Sequence, residues 1–516
     1  MIETHSSGGY ARRRLRPASR VVLAIVVALA LALGLSTTAA GAVPGVRALR
    51  PSYLMVSDGA AAKIYFYRVP GMTLTGTLTG VKLGSSGAAP PGADPAANTP
   101  MHGGAIVLPD GRIVVNDESH QRTMAIKLNA AGVPSIVNSV SSRLGNEAPW
   151  TAVDPLFRYY AVASNGGGPS PSAEILNLID LRTFTNTQLE IPLKGTTEDL
   201  TPFFGGNPLT LFAGVGGNEM HAHNVAALLH GNVTPTGIFP MGPNSHGGFS
   251  SPVTGTIGIT TGPQPPNLGT GTSQTPNLAN LGMDVFDVAC GPLRCNSPLG
   301  FVFPCVLTLC TSLKNRVTVP WNADGLTLSK GNRVRVMADG AHIMTPLNVD
   351  LTPGIATDWQ DVRLDAHFTD LRTKTARRIN VGMGASSRGF PVSQTYAVEP
   401  IIRPKVPGGK DQLKIIDVRP NSPTYLQIVR TVDLDQMING PVGGIDPTYP
   451  TYERRFAAIT PDGRYAFVTR GGDGKIDMVD TSTGAVTTVN APTSLTGGGH
   501  ITAFQVGLIP WDLSGR

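Results

Sequence analysis

The sequence predicts an all-β chain folded as a single β-propeller of seven or eight four-stranded blades, eight being favoured. Three observations lead there. The first is composition: 61 Gly, 43 Pro and only 15% charged residues suit short strands joined by tight turns. The second is a four-strand unit that recurs along the chain every 47 to 63 residues or so. The third is that the two ends of the chain hold complementary fragments of this unit, whose pairing would close a ring and remove exposed edges.

Residues 1–42 read as a secretory signal. Arg12, Arg13, Arg14, Arg16 and Arg20 make a positive n-region, and Val21 to Leu35 is apolar apart from Gly34. This run of 15 residues is shorter than the ~20 that span a bilayer. Ala40-Gly41-Ala42 supplies small residues for cleavage, and no cysteine follows to carry a lipid. The expectation is a secreted or periplasmic domain over 43–516 with no stable membrane span once the signal is cleaved. Lys plus Arg is 41 and Asp plus Glu 35, but the leader holds five arginines and one acid, leaving 36 against 34. The basic balance therefore belongs to the leader and implies no nucleic-acid partner.

Tyr53 to Thr79 offers three strands without a first, and the Gly-, Pro- and Ala-rich stretch 84–100 reads as a surface loop. Gly103 to Val107, the turn Pro109-Asp110-Gly111-Arg112 and Ile113 to Asn116 form a first hairpin. Third strands end at Tyr67-Arg68, Leu128-Asn129, Ile179-Asp180, Leu229-His230, Phe286-Asp287, Thr369-Asp370 and Ile416-Asp417. One spacing, near 83 residues, holds a cysteine-containing insertion over 288–315. Cys290, Cys295, Cys305 and Cys310 follow C-x4-C-x9-C-x4-C, which in an exported chain predicts two local disulfides. A structural zinc site is the rival, though its usual C-x2-C knuckle is narrower.

The last repeat is the clearest. Arg455 to Thr460, the turn Pro461-Asp462-Gly463-Arg464, Tyr465 to Thr469, Lys475 to Asp480 and Ala485 to Val489 make a complete meander. His500 to Val506 then stands as a lone first strand, predicted to pair through Ile501 to Val506 with the strand around Leu54 to Val56. The segment from Thr460 to Thr469 with Ile476-Asp477-Met478-Val479-Asp480 resembles the YVTN-type propellers and the quinoprotein amine dehydrogenase heavy chains. That resemblance implies the fold and leaves function open.

In an up-and-down blade, loops entering the first strand and loops joining strands two and three share one face of the ring. His102, His246 and His500 open first strands on this register, and His120, His221, His223 and His342 fall between strands two and three. Seven of the nine histidines outside the leader would thus share one face. Imidazole is the commonest metal ligand at neutral pH, so His102, His246, His500, His221 and His223 are candidate ligands for zinc or copper. His221-Ala222-His223 would point both rings to one side of an extended chain. The competing reading is that these histidines cap strands and bind carbonyls without any metal.

His102-Gly103-Gly104 and His246-Gly247-Gly248 are also similar to the His-Gly motifs of periplasmic zinc-chaperone propellers. That similarity implies zinc at these two positions and a metal-transport binding protein as partner. No G-x-S-x-G, H-E-x-x-H or P-loop occurs, and C-x-x-C-H is absent, which excludes covalent c-type haem. Glu453-Arg454-Arg455 enters a first strand and is read as a rim salt bridge, with an anionic channel ligand as the alternative. Trp150 and Trp321 are read as packing residues. The function expected is an exported binding propeller holding zinc or copper. The alternatives are a quinoprotein-dehydrogenase-like or lactonase-like enzyme using the same face, and a cell-surface interaction scaffold.

Overall fold

A computed structural model describes residues between 51 and 505, apart from short stretches and the longer segments 84–104, 262–281, 295–311, 351–361 and 439–454. The leader, the 84–100 loop, Trp321, and Cys295, Cys305 and Cys310 with their expected disulfides lie outside the described residues. The described residues form eight antiparallel sheets, each built on a four-strand path, and the chain is an eight-bladed β-propeller. No helix among them is long and apolar enough to cross a membrane.

Blade 1 is assembled from both ends. Ser52–Asp58, Lys63–Val69 and Thr73–Thr79 supply its second, third and fourth strands, and Ile501–Gln505 supplies the innermost. Ser52 lies opposite Gln505, Leu54 opposite Ala503 and Val56 opposite Ile501. Tyr53 stacks on Phe504 with ring centroids 5.9 Å apart. The predicted closure, the last strand pairing around Leu54 to Val56, is therefore present.

Successive strand residues point to opposite faces, so each blade feeds two apolar layers. Eight buried clusters fill the eight gaps between neighbouring blades. Leu54, Val56 and Tyr65 meet Phe467 and Ile476 between blades 1 and 8, while Tyr53 and Phe66 meet Val115 and Met124 between blades 1 and 2. Each such side chain, fully buried, contributes roughly 1.5–3 kcal/mol. The seam is packed like any other gap, which is why the ring closes.

The turns between first and second strands share one device. Asp110, Asp339 and Asp462 each accept from the backbone N–H two residues on, at 3.0, 2.9 and 3.0 Å. A glycine follows in each, and Gly340 (φ +62°) and Gly463 (φ +75°) occupy the left-handed region that a side chain resists. A Cβ on Gly463 would also collide with Thr395 Oγ1. Ala338-Asp339-Gly340 thus makes a first hairpin, between Arg335–Val336 and His342–Asp350. This corrects the placement of His342: it opens a second strand and lies on the face opposite to the one expected.

Blade 4 holds a second correction. Leu229-His230 does not end a strand, because Val225–Leu229 is a short helix capped by Asn224, whose side chain accepts from Ala227 N at 3.2 Å. The sequence VAALL, rich in good helix formers after an Asn cap, explains the turn. The third strand accordingly ends six residues earlier and runs Glu219–Asn224. His221 and His223 are strand residues and not loop residues.

In blade 5 the third strand continues past Phe286-Asp287 to Cys290, and Ser312–Pro320 pairs back along it as the fourth. The cysteine-bearing segment enters between these strands. Arg455 also differs from expectation: it is fully buried and ion-paired between blades 7 and 8, not on a rim. Glu453 and Arg454 lie outside the described residues.

Candidate functional site

Glu219–Asn224 alternates by residue across its two faces. Met220 and Ala222 pack in the layer against blade 5. His221 and His223 take the other face, opposite Ala213 and Leu211, which belong to the layer shared with blade 3. The two imidazoles therefore sit side by side, as the i, i+2 spacing predicts, with centroids 6.1 Å apart and planes tilted by 50°.

Their environments differ. His221 donates from Nε2 to the Glu219 carboxylate at 2.9 Å, near the strand end where Glu219 reaches water. His223 is one turn of the pleat deeper and 1% exposed, with the Val233 backbone as a hydrogen-bond partner. Burial pushes its pKa down to about 4, with the neighbouring His221 adding to the depression and the backbone at Val233 opposing it in part. At neutral pH His223 is an uncharged imidazole, one nitrogen of which carries a lone pair. Glu219 escaped the sequence reading. The alternation Glu-x-His-x-His, which places three polar side chains on one strand face, is the signal that could have found it.

The other histidines are dispersed. His120 lies between the second and third strands of blade 2, as expected, with Nδ1 2.8 Å from Asp117. His342 is held by Asp339 at 2.5 Å and stacks on Phe368 at 4.6 Å on the opposite face. His367 is buried inside a third strand, its pKa pushed down to about 4 by burial and then by the Arg378 charge. His230 caps the short helix. His102, His246 and His500 lie outside the described residues. Among the described residues, no group of three or more His, Cys, Asp or Glu side chains is arranged to hold a metal ion.

No protein-family model matches the chain, and no curated protein matches it in sequence. Solved structures do match in fold. Apo AztD from Citrobacter koseri superposes with a TM-score of 0.53 at 11% identity, covering 88% of this chain and 98% of that one. Dihydro-heme d1 dehydrogenase NirN, solved in complex with DHE, gives 0.50 at 13% identity, covering 88% of this chain and 75% of that one. At these identities the likeness establishes the propeller and nothing finer.

Proposed function

We propose that this chain is an exported binding propeller that holds zinc or copper through histidine. The observation that carries the reading is His223, a buried, neutral imidazole beside a second imidazole on the same strand face. Imidazole nitrogens suit zinc and copper, and this pair would supply two of the donors such an ion takes. His221, donating from Nε2 to Glu219, would ligate through Nδ1, and the carboxylate would fix its ring as outer-shell carboxylates do.

His102, His246 and His500 remain proposed ligands at the channel mouth. Support comes from the chain order: each shortly precedes an innermost strand, at Ile106–Val107, Gly248–Ser251 and Ile501–Gln505. His500 and His102 enter the neighbouring blades 1 and 2, whereas His246 enters blade 5, across the ring. The matching His-Gly-Gly motifs and their similarity to zinc-chaperone propellers point the same way, and a metal-transport binding protein is the partner this reading implies.

The test is calorimetric titration of the chelator-stripped chain with zinc and with copper(II), alongside H221A/H223A and H102A/H246A. Saturable binding by the wild type, lost in H221A/H223A, is the expected result. Loss in H102A/H246A alone would move the site to the channel mouth. Absence of binding to either metal overturns the reading and leaves the enzyme and scaffold alternatives.

A further inference from the structure

The turns between first and second strands of three successive blades border an open pocket of about 420 Å³ on the face opposite His120. Arg112 of blade 2, Leu156, Phe157 and Arg158 of blade 3, and Pro208 of blade 4 line it, together with Arg182 from the turn between the third and fourth strands of blade 3. The volume falls within the ~300–1,000 Å³ range of small-molecule sites.

Three arginines line it, two of them ion-paired, Arg112 with Asp110 and Arg158 with Asp180. Asp110 accepts from the backbone N–H of Arg112 at 3.0 Å and from its Nε at 2.6 Å. Asp180 accepts from the backbone N–H of Arg182 at 2.8 Å, and its other oxygen is 3.8 Å from Arg158 Nε, too far for a hydrogen bond. Arg158 instead lies over the Tyr159 ring, 4.8 Å from its centroid. Arg182 forms no ion pair with any described residue. Five N–H donors per guanidinium leave most of this set unspent, in a fork geometry that matches carboxylate and phosphate oxygens.

The remaining wall is apolar. Leu156 is 55% exposed and presents an apolar side chain to the pocket. Phe157 is held at φ +54°, a left-handed conformation rare for an aromatic residue. Its N–H donates to the Asp154 carbonyl at 2.9 Å, and the Asp154 carboxylate accepts from Leu156 N at 2.8 Å and Arg158 N at 2.6 Å. One buried aspartate thus fixes two apolar residues and one arginine in a single rigid turn.

We infer that this cavity is a binding site for a small organic anion with an apolar or aromatic body, the guanidiniums of Arg112, Arg158 and Arg182 taking the anionic head and Leu156, Phe157 and Pro208 the body. The site is independent of the histidine reading. It draws on no residue of that pair and faces the other way.

Phenyl phosphate and inorganic phosphate serve as probes, titrated calorimetrically into the full chain with a chelator present so that no metal can capture the phosphate. Phenyl phosphate is expected to bind saturably and more tightly than inorganic phosphate. R158Q and R182Q should each weaken it about tenfold or more, as for loss of a charge-assisted contact. L156S should weaken phenyl phosphate alone. R372Q is the control, because Leu371-Arg372-Thr373 makes the same turn as Leu181-Arg182-Thr183, with its backbone N–H likewise 2.8 Å from an aspartate, but in blade 6 away from the cavity. Arg158 and Arg182 are exposed enough that thermal unfolding should be unchanged in their variants. Absence of saturable binding, equal affinity for the two probes, or an affinity unaltered in R158Q and R182Q would each overturn the inference.

Discussion

Arg455 Nε lies 2.8 Å from Asp411 Oδ2 with both side chains buried, joining the inner approach of blade 8 to the third strand of blade 7. The same guanidinium reaches the Asp435 carbonyl and stands 3.8 Å from Asp477, which in turn bonds Arg470 at 2.9 Å and Thr488 at 2.7 Å. Burying charge is tolerable only when each group is answered, and here two arginines are set among three aspartates.

R455A would leave Asp411 buried without its guanidinium. Denaturant unfolding is expected to show a loss of about 3–5 kcal/mol. R455M with D411L removes both charges and should cost far less than R455A alone. A double variant as unstable as the single one would mean that the pair is not the source of the effect.

The seam gives a second expectation. A chain ending at residue 500 would bare the edge of Ser52–Asp58 and uncover Tyr53. Light scattering and calorimetry should find either loss of cooperative melting or dimers paired through that edge. A monomer with an unchanged melting temperature would contradict the packing seen here.

Stability should fall in mild acid through His223 and His367. Both have an ordinary pKa of 6.5 lowered to about 4 by burial. Between those values the unfolded chain binds more protons than the folded one, so stability is complete above pH 6.5 and declines as the pH falls. The decline levels off below about pH 4, after a loss of about 3 kcal/mol per histidine. Unfolding free energies at pH 7 and 4.5, measured with a chelator present, should differ in the wild type and less in H223L.

Asp417 acts at lower pH still. Burial pushes its carboxyl up, but hydrogen bonds from Arg419, Ser422 and Thr424 outweigh that and hold it well below the usual carboxylate range. Its contribution is present above the unfolded carboxylate pKa and is lost only as the pH drops through its own lower value. D417N should therefore destabilise the protein at pH 7 and bring it closer to the wild type in strong acid.

Zinc at a hundred times its dissociation constant should raise stability by about 2.7 kcal/mol at pH 7. The gain should shrink below about pH 6, where protonated imidazole cannot ligate. A rise in melting temperature with zinc that survives unchanged at pH 5 would point to ligands other than histidine.

The blade count and the closure were legible because turns carry a local chemical signature. Asp-Gly pairs and alternating strands can be recognised a few residues at a time. The histidine placement was less so, because it depended on which strand a segment occupies. Asn224 followed by Val-Ala-Ala-Leu-Leu ends a strand in a helix, and reading that run as strand shifted His221 and His223 into a loop. Asp339-Gly340 was the turn signal that would have put His342 on its proper face. The arginine cavity has no signature at all in sequence, since its parts come from turns of three blades whose proximity only the ring creates.

The hairpin-like register at the seam, with Ser52 opposite Gln505, has an engineering consequence. A short turn from Gln505 back to Ser52 would convert the seam into an ordinary hairpin, after which no blade is first or last. New ends could then be opened at Gly472-Asp473, in the tight turn between Arg470 and Lys475, and the permuted chain should fold to the same ring.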